Sequence, residues 1–104
     1  MAEFKAGKRR RAPTPPGVVL ANALKALDIS ARAAAIAMGI TPQALGNVIG
    51  LKSAITPEMA LRIGTYIGNG PELWLGMQID ADLWNARQAL ASKLKHITPA
   101  ARAA

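Results

Sequence analysis

From Gly17 to Leu27 the apolar residues Leu20, Leu24 and Leu27 recur at i, i+4 and i+7. That spacing predicts one face of a helix, and Pro15-Pro16 gives it a clean entry. Asp28-Ile29 is a short connector, and Ser30 then offers an N-cap hydroxyl to the free amides of the next turn. Ala31 to Met38 holds Ala at five of eight positions, the strongest helix former. Gly39 tolerates positive φ and ends that helix. Thr41-Pro42 is a second cap followed by Pro at the first helical position, where its missing N–H costs nothing. Leu45, Val48 and Ile49 share a face of this third helix, which ends near Gly50.

After a loop, GLKSAIT (50–56), Thr56-Pro57-Glu58 repeats the cap-then-Pro start, with an acid near the positive end of the helix dipole. Met59, Ala60, Ile63 and Ile67 supply an apolar face before Gly68-Asn69-Gly70 turns the chain. Pro71 opens a long last helix in which Leu73, Met77, Ala81 and Trp84 mark one face, with Trp74 beside it and Gly76 a point of weakness. No strand pattern and no internal repeat is found. The expectation is an all-α chain of five helices joined by short loops.

The stretch 30–48 is more specific than two capped helices. A helix-turn-helix packs two short helices at a steep angle across a turn that often holds Gly. Ala35 is the small residue the crossing needs, and Gly39 is the Gly of the turn. Ala34, Met38, Ile40, Leu45 and Val48 fill the angle. An ordinary αα-hairpin in an alanine-rich bundle fits the same pattern less completely.

Length adds that 104 residues make one domain. The expected division is a disordered basic arm over 1–16, a folded domain over 17–95 with a C-terminal dimerisation helix, and a flexible tail over 96–104. The net charge of +7 is unevenly spread: residues 1–16 carry +4, through Lys5, Lys8, Arg9, Arg10 and Arg11 against Glu3. An arm of that kind suggests a polyanion, nucleic acid before an anionic membrane. The alternative is a solubilising tail.

The chain has no cysteine, so disulfides and cysteine-bound zinc are excluded, and one histidine, His96, cannot build a metal site alone. A reducing cytoplasm is compatible with this composition. No segment has the apolar length to span a bilayer, and prolines interrupt the region where a secretory signal would need its apolar run.

Candidate chemistry is confined to the helix-turn-helix. Gln43 and Asn47 are four apart on one helical face, and either amide can pair bidentately with adenine in the major groove. The Ala44 methyl can meet a thymine methyl. Thr41, Lys52 and Ser53 are placed to hold phosphates, with the amides at the helix start. The bland alternative for Gln43 and Asn47 is a solvated polar face. Trp74 and Trp84 read as core or dimer interface rather than as base-stacking residues. Asp80 and Asp82 point to different sides of their helix and have no accompanying nucleophile, so an enzyme reading finds no support.

Three runs then carry a family resemblance: the helix-turn-helix from Leu27 onward, ITPEMALRIGTYIG (55–68) and PELWLGMQIDADLWNAR (71–87). Together with PPGVVL (15–20) they resemble the HigA group of antitoxins, within the xenobiotic-response-element-like helix-turn-helix proteins. The match covers about residues 15–90. It implies a five-helix, lambda-repressor-like domain, a homodimer and binding to double-stranded operator DNA. It also implies a HigB-like toxin partner, a ribosome-dependent mRNA endonuclease, and repression of the shared operon. No cofactor is implied.

The chain departs from the family pattern in two respects. Ala31, with Arg32 beside it, stands where a polar residue usually meets the DNA backbone. The exposed set of the recognition helix (Thr41, Gln43, Ala44, Gly46, Asn47) is light in charge. Two other readings stay open: a stand-alone helix-turn-helix regulator with no toxin, and a protein-interaction module whose basic arm binds RNA or a membrane.

Overall fold

The computed structural model describes residues 11–100; most of the basic arm, residues 1–10, and residues 101–104 lie outside that range. Five helices follow in order: α1 (Pro16–Ala26), α2 (Ala31–Met38), α3 (Pro42–Ile49), α4 (Pro57–Ile67) and α5 (Pro71–Leu94). No strand occurs among the described residues. The chain is an all-α helix-turn-helix domain, as the periodicity predicts.

Side-chain caps start three of the helices. The Ser30 hydroxyl accepts from the Ala33 amide at 3.0 Å, Thr41 from Ala44 at 3.0 Å, and Thr56 from Met59 at 3.2 Å. Each satisfies one of the amides that a helix start leaves without a partner. Gly39 ends α2 in the left-handed region at φ 74°, and Gly68 ends α4 there at φ 96°.

The core lies where α1 to α4 converge on the start of α5. Leu20 and Leu24 from α1 meet Ala34, Ala35 and Met38 from α2, Leu45 and Val48 from α3, and Ala60 and Ile63 from α4. Trp74, 1% exposed, is the largest side chain in it. Its indole N–H donates to Asn69 Oδ1 at 2.9 Å, so the ring is buried without an unpaired donor. Burying that ring contributes about 1.5–3 kcal/mol by area alone.

The tertiary structure revises the expected faces at both ends of the chain. Leu27 is 55% exposed rather than facing the core. It is the C-cap of α1, Asp28 behind it takes φ 58°, and the Ile29 amide closes back on the Leu24 carbonyl at 2.9 Å. That closure turns the chain before Leu27 can extend the buried stripe. In α5 the inward line is Trp74, Gln78 and Ala81, while Leu73 is 49% exposed. The indole, being larger, takes the inward position, and a helix cannot turn neighbours 100° apart onto the same line.

Gly76 leaves α5 unbroken and sits on its exposed side. Trp84 is half-buried but is not among the residues packed on the core. From Asn85 to Leu94 every residue of α5 is exposed, so the helix runs on past the body of the domain.

Candidate nucleic-acid interface

The crossing of α2 and α3 is built as the sequence predicts. Ala34 and Ala35 are fully buried and let the helices approach; Leu45 and Val48 pack behind them from α3. Ile40 is only half-buried, at the edge of the angle it plugs. With its inner face committed, α3 presents Thr41, Gln43 and Gly46 to the outside, with Ala44 and Asn47 half-buried beside them. Asn47 is thus less open than its spacing suggests.

Gln43 and Asn47 do share a face, and they bond to each other. Gln43 Nε2 donates to Asn47 Oδ1 at 3.2 Å. The Asn47 side-chain N–H groups and the Gln43 carbonyl oxygen keep free valences for a base edge. The Asn47 main-chain carbonyl is also engaged: the amides of Lys52 and Ser53 donate to it at 2.8 and 3.1 Å. This folds the loop after α3 back beside the helix, and Leu51 takes φ 62° in making the turn.

Lys52 and Ser53 are therefore held next to the recognition face with exposed side chains, as a phosphate contact requires. Arg32 is exposed in the first turn of α2. The Thr41 oxygen is occupied as a cap, which leaves its O–H free to donate outward. All seven predicted positions lie on α2, on α3 with its cap Thr41, or in the loop after α3. Arg11 is exposed and described; Lys5, Lys8, Arg9 and Arg10 lie outside the described residues.

One residue beside this surface has no signal in the sequence pattern beyond an i, i+4 pairing. Arg62 of α4 donates through Nε and Nη2 to Glu58 Oε2, at 3.2 and 3.1 Å. Its Nη1 donates to the Met38 carbonyl at 2.7 Å and to the Gly39 carbonyl at 3.5 Å. The charge thereby lies against the C-terminal end of α2, the negative end of its dipole. Among the described residues no group of His, Cys, Asp and Glu is arranged to hold a metal ion.

Two capped helices crossing on buried alanines, with a polar outer face on the second, define a helix-turn-helix protein. The relatives give the class a family. Antitoxin HigA-1 of Vibrio cholerae is 31% identical over 93 residues, 88% of each chain. An uncharacterised helix-turn-helix transcriptional regulator of Escherichia coli, YddM, is 35% identical over 74 residues, 71% of this chain and 76% of that one. Among solved structures, Pseudomonas aeruginosa antitoxin HigA with the higBA promoter superposes with a TM-score of 0.80 at 26% identity, covering 86% of this chain and 99% of that one. No family model matches the chain. This protein belongs to the HigA family of helix-turn-helix antitoxins. Its relatives are antitoxins and transcription regulators, not enzymes.

Proposed function

We propose that the chain is an antitoxin that binds operator DNA as a homodimer, represses its own operon and neutralises a HigB-like, ribosome-dependent mRNA endonuclease. The observation that carries the DNA part is the superposition on an antitoxin solved with its promoter. It is joined by the polar face that α3 keeps outside the core. In the mechanism, α3 enters the major groove, where Gln43 and Asn47 meet base edges and Ala44 meets a thymine methyl. Arg32, Thr41, Lys52 and Ser53 hold phosphates on either side, and the arm over 1–16 adds counterion release without sequence reading.

The homodimer is supported by α5. Leu83, Leu90 and Leu94 are exposed along the C-terminal half of α5. Apolar residues repeated on an unpartnered helix fit a second copy of that helix. Two recognition helices would then lie about 34 Å apart, one turn of DNA. Operator and ribosome both call for the cytoplasm, and among the described residues no helix is long and apolar enough to cross a membrane.

Footprinting on the DNA upstream of the chain's own gene tests the reading. A protected palindrome is the expected result; no protection at micromolar protein would favour the protein-interaction alternative. The likeness to a transcriptional regulator of E. coli keeps a second reading in view, a stand-alone helix-turn-helix regulator without a toxin partner. Co-expression with the product of a small neighbouring reading frame separates the two. An antitoxin forms a complex with that product and restores growth, and a stand-alone regulator does neither.

A further inference from the structure

Leu45 and Val48 anchor α3 in the core, and the turn that leads into it is short. Only Gly39, Ile40 and the cap Thr41 separate α2 from α3. Within this turn the Ile40 amide donates to the Ala35 carbonyl at 3.0 Å and the Gly39 amide to the Ile36 carbonyl at 3.1 Å. Those bonds close the end of α2 on itself and do not attach it to anything else. Next to the turn, an open groove between α2 and α4 is lined by Ala37, Met38, Leu61, Arg62, Thr65 and Tyr66.

Arg62 bridges this gap. One edge of its guanidinium is gripped by Glu58 on its own helix, and the other reaches the Met38 and Gly39 carbonyls. The helix that carries it is itself tightly fixed: a Cβ on Gly64 would collide with the backbone of Gly70 and Pro71 at the start of α5. The turn is thus referenced, through a rigid planar fork, to the α4–α5 pair.

We infer that Arg62 is a positioning residue for base reading: it holds the turn, and with it α3, at the angle that discriminates operator from random DNA. The inference rests on the DNA-binding reading above. Its physical basis is a difference in tolerance. Phosphate attraction is long-ranged and survives a small rotation of α3, whereas bidentate contacts to a base edge do not. A lysine at this position keeps the charge and loses the fork that spans two carbonyls and a carboxylate.

The test compares wild type with Arg62→Met, Arg62→Lys and Glu58→Gln on operator and random duplexes, at one salt and at a temperature where melting curves show each variant folded. Arg62→Met is expected to lower the ratio of operator to random affinity by about tenfold or more, while random binding stays within about twofold. Arg62→Lys and Glu58→Gln are expected to give smaller losses of the same ratio. If Arg62→Met does not fold, these two milder variants carry the measurement.

A reduced Tm with an unchanged ratio would make Arg62 a merely structural tie and overturn the inference. A parallel loss on both DNAs, with a shallower salt slope, would make it a phosphate ligand and overturn it equally. A wild-type ratio of one would defeat the DNA-binding reading itself, and is seen before any variant is made.

Discussion

Gln43 and Asn47 sit at equivalent places on α3 but have different freedom. Gln43 is exposed, whereas Asn47 is half-buried and held by Gln43 Nε2. In the proposed complex they read as a unit, each fixing the amide plane of the other. Gln43→Ala and Asn47→Ala should each cost about 1–3 kcal/mol against the operator and leave random DNA nearly unaffected. The double variant should cost less than the sum, with a coupling of at least about 0.5 kcal/mol. Titration of four proteins on one operator measures this, and strict additivity would mean that the two amides act independently. Lys52→Ala should instead weaken both DNAs together. Gly46, between them, is there at the expense of helix stability. A Cβ on it would meet nothing within 4 Å, so Gly46→Ala should stabilise the free protein by about 1 kcal/mol, read by thermal melting.

At the scale of elements the outcome for a glycine reverses with its neighbours. Gly64 in α4 faces the turn into α5, and Gly17 in α1 faces the Val48 carbonyl at the end of α3. At either place an added methyl group meets backbone, which cannot rotate aside. Gly64→Ala should therefore destabilise by about 1–3 kcal/mol despite alanine's better helix propensity. Denaturant unfolding of Gly46→Ala and Gly64→Ala should give shifts of opposite sign. A stabilised Gly64→Ala would show that α4 and α5 can separate without penalty. The caps belong to this scale too. Ser30, Thr41 and Thr56 each carry out the bond that the cap position predicts, which is why the starts of α2, α3 and α4 are so well defined by sequence.

For the whole molecule, the part of α5 beyond Trp84 is explained by no packing among the described residues. The proposed dimer supplies it. Sedimentation at tens of micromolar should find two copies together. Leu90→Glu should separate them and, with them, abolish most of the operator affinity. A monomeric wild type would remove the basis for a palindromic site. Deletion of residues 1–12 should weaken operator and random DNA alike. It should also reduce the slope of log K against log salt by about 0.9 for each phosphate that the arm no longer neutralises. An unchanged slope would place the arm away from DNA.

What the sequence determined by itself is local in origin. Helix starts and stops follow from Ser, Thr, Pro and Gly at positions where their hydroxyls, fixed φ or missing Cβ act on the nearest turn. The α2–α3 unit was legible for the same reason, since its crossing depends on Ala35, Gly39 and a few apolar residues within nineteen positions. The outward edge of α3 was legible as its complement. Which of two adjacent apolar residues turns inward was not: Leu73 and Trp74 both suit a buried stripe, and the larger indole took the place in the core. Leu27 continued its periodic face until a left-handed Asp28 turned the chain away. The reach of Arg62 to the Met38 carbonyl, across 24 residues of sequence, could come only from the tertiary structure. Periodicity reports what a residue does to its own helix. It carries no information on how two helices approach, and that approach is what places the guanidinium at the turn.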